Sequence, residues 1–92
     1  MITVHKYPVQ MLEDFSVRMP FGAEVIHVAM QHGQPFMWAR VDTDQHEVSY
    51  DFGVFGTGHK MTGFPVAEAP HLGSFMMHNE NLVFHLFGGI RV

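Results

Sequence analysis

Residues 55–60, FGTGHK, place a hydroxyl group and an imidazole among glycines, directly after a run of aromatic and β-branched residues. Gly56 and Gly58 can adopt a positive φ angle, which lets neighbouring backbone N–H groups converge on an anion. Thr57 and His59 add side-chain donors beside them. These residue types in this spacing could hold a phosphate group. On composition alone, a structural turn at the end of a strand is the favoured interpretation.

The stretch differs from the common phosphate-binding loops. It is not a P-loop, because no Lys-Ser/Thr pair follows it and no helix is predicted to begin there. It also lacks the spacing of a dinucleotide-binding fingerprint. Any anion site here would therefore be of another kind.

The residues that could act as nucleophiles or bases show no catalytic motif. The serines Ser16, Ser49 and Ser74 fall within predicted strands, and no Gly-x-Ser-x-Gly elbow surrounds them. His27 and His85 lie inside apolar strands, where a half-buried or solvent-facing imidazole is the ordinary finding. There is no cysteine. We expect that the protein is not an enzyme.

Eight histidines raise the question of a metal site. The close His pairs that are typical of zinc sites are absent. Asp42, Asp44 and His46 would share one side of an extended segment, and carboxylates with an imidazole could hold a divalent cation. A polar hairpin loop explains the same residues and is the favoured interpretation. We therefore expect no metal and no other cofactor.

Length and charge limit the classes of function further. The 92 residues predict a single domain, residues 1–92, with a formal charge of −4 and only five scattered Lys and Arg residues. Nucleic-acid binding is disfavoured, because it requires clustered cations. No apolar run approaches the roughly 20 residues of a membrane span, and the first ten residues do not resemble a signal peptide. We expect a cytoplasmic protein.

The hydrophobic periodicity is that of strands, because apolar residues alternate along most of the chain. Gly33-Gln34 has the composition of a type II′ turn that joins two of these strands as a hairpin, and residues 60–70 form one long irregular connection. The predicted fold is all-β: a small antiparallel β-sandwich or open barrel of five to seven strands with little or no helix. The predicted strands are 2–7, 14–19, 23–31, 35–42, 47–56, 72–77 and 82–87.

Aromatic residues are frequent, and the predicted strand 82–87 is apolar on both faces. The ordinary explanation for Trp38 and Phe36 is the inner face of a small β domain, which needs bulky residues. A strand that is apolar on both faces is either covered within the fold or covered by another subunit. We therefore expect a homo-oligomer.

Several stretches occur in a familiar order: KYPV, MPFGAEVIHVAMQHGQPFMWARVD, FGTGHK and LVFHLFGG. In this order they resemble a family of small tailed-phage and prophage proteins, a domain of unknown function. The chain departs from that pattern at Phe36-Met37, where a Cys-Leu type pair is common. Residues 43–46 and 60–71 show no correspondence. The resemblance implies a small β fold and a viral or prophage origin, but no activity.

The resemblance also singles out polar positions that turn and core roles explain poorly. These are Asp42, Thr57, His59 and His85. Asp42 and His59 end two strands that we expect to be neighbours, so that both would line one pocket. The candidate ligand-binding residues are Trp38, Asp42, Gly56, Thr57, Gly58, His59 and His85.

Three classes of function remain open. The first is a phage accessory protein in the host bacterial cytoplasm, which counters host defence by sequestering a nucleotide-like ligand or by blocking a host protein. In the ligand version, the residues 56–58 would hold a phosphate group and Trp38 would stack on a base. The alternative is a structural or assembly protein of the virion. A hydrolase that uses His59 and Asp42 is the third and least favoured class.

Overall fold

The computed structural model describes residues 1–63 and 66–92 of the chain. No helix in these residues is long and apolar enough to cross a membrane. They form one short 3₁₀ helix, Val66–Glu68, and seven strands: β1 (Ile2–Pro8), β2 (Phe15–Pro20), β3 (Glu24–Gln31), β4 (Gln34–Asp42), β5 (Glu47–Gly56), β6 (His71–Met77) and β7 (Leu82–Arg91).

The strands form two antiparallel sheets that pack as a sandwich. One sheet has the order β1-β4-β3, and the other has the order β2-β5-β7-β6. Alternate residues of both sheets point into a shared core, as the predicted strand periodicity requires. The prediction of a small all-β sandwich is confirmed. The largest fully buried side chains are Phe52, Met19, Met37, Leu86 and Val41.

Strand β4 shows the alternation most clearly. Met37, Ala39 and Val41 are buried in the core, with at most 1% of their surface exposed. Because successive side chains of a strand point to opposite faces, Phe36 and Trp38 lie on the outer face of the β1-β4-β3 sheet. The expectation that these two aromatic residues belong to the inner face is therefore wrong.

The hairpin between β3 and β4 is confirmed, but its turn lies one residue earlier than predicted. Gln31 pairs with Gln34, so the two loop residues are His32 and Gly33. Their φ angles are 54° and 78°, and two consecutive positive values are typical of a type I′ turn. The prediction of a type II′ turn at Gly33-Gln34 is wrong, because His32 itself adopts the left-handed conformation.

A third layer of chain covers part of the outer face of the second sheet. A β-carbon added at Gly53 would overlap the Glu13 carbonyl oxygen and Val66 Cγ1, so these segments lie directly against β5. The long connection predicted at 60–70 contains the 3₁₀ helix, and Pro65 within it lies outside the described residues.

The apolar outer face of β7 is partly covered by other residues of the same chain. The Phe87 ring contacts the rings of Phe55 and His71, with centroids 6.2 Å and 5.2 Å apart. The apolar character of residues 82–87 on both faces therefore does not by itself require a second subunit.

Candidate functional site

The glycine-rich stretch follows directly on the end of β5. The Thr57 N–H donates to the Val83 carbonyl oxygen on β7 at 3.1 Å, and the His59 N–H donates back to the Gly56 carbonyl oxygen at 3.0 Å. Gly58 has a φ of +86°, as the composition predicts. The stretch is thus a tight turn that is bonded to the neighbouring strand.

Gly56 serves a different purpose from the one that its composition indicates, because it does not adopt a positive φ. A β-carbon added at this position would lie 2.9 Å from His59 Nδ1. Glycine therefore allows the imidazole ring to lie against the backbone at the end of β5, beside Phe84. The turn and the close approach together determine where His59 is presented.

A surface cavity of about 500 Å³ opens beside this turn. Its volume is in the range of small-molecule sites. Polar groups come from the turn and from Asn81, whereas the β7 residues form an apolar wall. A smaller cavity of about 180 Å³ lies on the other side of the imidazole and shares Gly56, His59 and Phe84 with the first. The larger cavity is lined by Gly56, Thr57, His59, Asn81, Leu82, Val83 and Phe84.

His85 lies next to this cavity and is held at both ring nitrogens. Its Nε2 is 2.8 Å from Thr57 Oγ1, and its Nδ1 is 2.7 Å from Ser74 Oγ. His71 Nε2 lies 3.0 Å from the same Ser74 oxygen. The structure thus brings Thr57 and His85 together, and it adds Ser74 and His71, which sequence reasoning missed.

Ser74 and His85 face each other across the β6–β7 pair, so their meeting depends on strand register. The sequence gives one indication of this contact, because Ser74 lies in the strand that immediately precedes β7. The register itself cannot be read from the alternation, because a bulge between His71 and Gly73 shifts it.

Asp42 lies at a different place from the cavity. Its carboxylate binds the Met1 amino group at 3.1 Å and accepts the Asp44 N–H at 3.0 Å. The hydrogen bond from the Asp44 N–H, and to a smaller extent the one from the Met1 amino group, hold the pKa of Asp42 below its usual value. Asp44 binds the same amino group at 2.8 Å, whereas the His46 ring stacks on Phe21. Of the three residues considered for a divalent cation, the two carboxylates therefore bind one amino group, and the imidazole of His46 lies apart from them on Phe21.

The expectation that Asp42 and His59 end neighbouring strands is wrong. Asp42 ends β4, and β4 and β5 belong to different sheets. The loop after Asp42 leads to the first residue of β5, whereas His59 follows the last. Because β5 has ten residues, its two ends are roughly 30 Å apart.

Trp38 is also remote from the glycine-rich turn. It lies on the outer face of the other sheet, where its ring contacts His27 and Phe36 at centroid distances of 5.4 Å and 6.3 Å. It therefore cannot stack on a ligand that is held by residues 56–58. Phe84 is the aromatic residue that lines the cavity instead.

Residues 1–91 match the model of a protein family described as Domain of unknown function (DUF7352). No curated protein and no solved structure matches the chain. The match confirms the expectation of a domain of unknown function, and the phage origin stays a prediction.

Proposed function

The chain belongs to the DUF7352 family, a domain of unknown function, and from this premise we propose that it is a non-enzymatic binding protein. Its ligand is a small molecule with a phosphate group and a flat ring, held in the cavity beside His59. The protein acts as a phage or prophage accessory protein in the bacterial cytoplasm, where it sequesters a nucleotide-like signal of host defence. The resemblance of the chain to small tailed-phage and prophage proteins supports the proposed phage or prophage origin.

One observation carries the proposal: the cavity combines hydrogen-bond donors with an apolar and aromatic wall. His59 and Asn81 are exposed at its rim, and among the described residues their side chains have no hydrogen-bond partner. Phe84 is half-buried and stacks on Phe75, with ring centroids 5.9 Å apart, so its ring has a fixed position. Donors at one side suit a phosphate group, and the opposite wall suits a base.

Isothermal titration with cyclic mononucleotides, cyclic dinucleotides and ADP-ribose derivatives tests this proposal, with inorganic phosphate as a further titrant. We expect one of these classes to bind, and His59→Ala to weaken its binding at least about tenfold, which corresponds to roughly 1.4 kcal/mol. Trp38→Ala is the matched aromatic control on the other sheet and should leave the affinity unchanged.

The outcome decides between versions of the binding function. Absence of heat with every nucleotide class would remove the ligand version and leave the blocking of a host protein. Equal loss in Trp38→Ala and His59→Ala would show that the cavity beside His59 is not the site.

A structural role in a virion is the second candidate, and the free edge of β1 favours it. β1 pairs with β4 along all seven residues without a register shift, and no strand of the described residues pairs with its other edge. Ile2 and Val4 are exposed on it by 64% and 48%. A regular edge strand with exposed apolar residues can pair with another chain, so a second copy could add to the sheet along residues 2–4, ahead of Lys6 and Pro8, which oppose pairing at the other end of the strand.

We expect the wild type to be a homo-oligomer that pairs through β1. Light scattering after size exclusion should show an oligomer, and Val4→Lys should convert it to a monomer, because a charge at the edge opposes pairing. Met76→Lys is the control, since Met76 is similarly exposed, at 53%, but lies on β6. A monomeric wild type would contradict the prediction. Mass spectrometry of purified particles would test the virion role.

A further inference from the structure

The hydroxyl group of Ser74 lies between two imidazoles on the outer face of the second sheet. Ser74 Oγ is 2.7 Å from His85 Nδ1 and 3.0 Å from His71 Nε2. The other nitrogen of His85 is 2.8 Å from Thr57 Oγ1. A hydroxyl that contacts a base, with the base oriented by a third group, is the arrangement that activates a serine.

The protons in this network can be assigned from its far end. The Val83 carbonyl oxygen can only accept, so the Thr57 hydroxyl, 3.3 Å away, donates to it. The Thr57 oxygen then accepts from the Nε2–H of His85, which leaves Nδ1 as an acceptor. Ser74 O–H therefore donates to Nδ1, and its oxygen accepts the Nε2–H of His71. This assignment places His85 in the tautomer that can take the Ser74 proton.

We infer that Ser74 is a nucleophilic site that accepts one acyl group from an activated ester. Ser74 Oγ attacks the ester carbonyl carbon while its proton passes to His85 Nδ1. The C–O bond to the leaving alcohol then breaks, and the alcohol takes the proton from His85. The products are an O-acyl Ser74 and the free alcohol.

The surroundings of Ser74 indicate which esters fit. Ser74 is exposed and lines a cavity of about 370 Å³ between β3 and β6, whereas His85 is half-buried behind it. The cavity walls are mainly apolar, which suits a short apolar acyl chain. His71 donates to one lone pair of the hydroxyl and leaves the other free for attack. The other residues that line this cavity are Val28, Ala29, Met30, Phe75, Met76, Glu80 and Val83.

This inference stands apart from the proposed ligand binding. It concerns a second cavity, which adjoins the first at Val83, and it describes a single covalent capture rather than turnover. Thr57 is a positioning residue here, because it acts on Ser74 through His85. Its loss should therefore slow acylation without removing the nucleophile.

The full chain treated with p-nitrophenyl acetate tests the inference, with nitrophenolate release and intact mass as readouts. We expect one acetyl group per chain, mapped to Ser74, and none in Ser74→Ala. His85→Ala should slow acylation about 100-fold. Thr57→Val should slow it several-fold, and Thr57→Ser should restore it, because serine keeps the hydroxyl that orients His85.

Ser16 provides the matched control. Its hydroxyl donates to the Asp51 carboxylate at 2.6 Å, so its only side-chain partner among the described residues is not an imidazole. Ser16→Ala should be acetylated at the wild-type rate. Acetylation spread over Ser16 and Ser49, or no adduct at all, would overturn the inference. So would a wild-type rate in both His85→Ala and Thr57→Val, two variants that remove the base and its orienting group independently.

Discussion

Replacing Gly88 with alanine is expected to lower the free energy of unfolding by about 3 kcal/mol. Gly88 has a φ of +132°, a conformation that residues with a side chain rarely adopt. A β-carbon there would also lie 2.6 Å from Phe52 Cα and overlap the Asp51 carbonyl oxygen. Both obstacles belong to the backbone of β5, so no change of rotamer can relieve them. Urea denaturation followed by circular dichroism measures the loss.

Gly89 is the matched control for Gly88. It also has a positive φ, +80°, but the nearest atom to an added β-carbon is Leu72 Cδ1 at 3.9 Å. Gly89→Ala should therefore lower the free energy of unfolding only by the cost of the left-handed backbone conformation, about 1 kcal/mol. Equal decreases in the free energy of unfolding for the two variants would show that β7 does not closely approach the β5 backbone at Gly88.

Replacing Phe52 with alanine is the second substitution with a large expected effect. Phe52 is fully buried, and its ring stacks on Phe15 with the centroids 5.6 Å apart. Its removal leaves a cavity between the sheets, and such changes destabilise by about 3 to 5 kcal/mol. A decrease of this size is a large part of the total free energy of unfolding of a small domain, which is about 5 to 15 kcal/mol.

Thermal denaturation checks this prediction. A loss of this size should lower the Tm of Phe52→Ala by roughly 15 °C or more. Phe21→Ala is the control, because 40% of Phe21 is exposed and its ring stacks on His46 at the surface. Similar Tm values for the two variants would contradict the position of Phe52 in the core.

The alternation of apolar residues was sufficient to predict the strands, because burial on one face imposes a period of two. The alternation is less informative at the end of β7, for which it predicts a stop at residue 87. Gly88-Gly89 resembles a strand end, but β7 continues to Arg91, because Gly89 forms a bulge between the pairs Gly88–Phe52 and Ile90–Asp51. A glycine that permits a bulge and a glycine that ends a strand look the same in sequence.

The candidate site was only partly predictable for a related reason. The turn at residues 56–59 is local, so its composition predicted it. The pairing of strands is not local, and β4 and β5, although consecutive, lie in different sheets. The sequence therefore predicts Asp42 and Trp38 at a site that they do not reach, and it does not predict the contact of Ser74 with His85.

The most direct test of the proposed function is an NMR titration of the protein with the nucleotide class that binds. Backbone amide signals of residues 56–59 and of Asn81 should shift together in ¹H–¹⁵N spectra. The indole N–H of Trp38, the single tryptophan, should not move, because it lies on the outer face of the other sheet. Shifts confined to the Trp38 indole and its neighbours, with residues 56–59 unchanged, would contradict ligand binding beside His59.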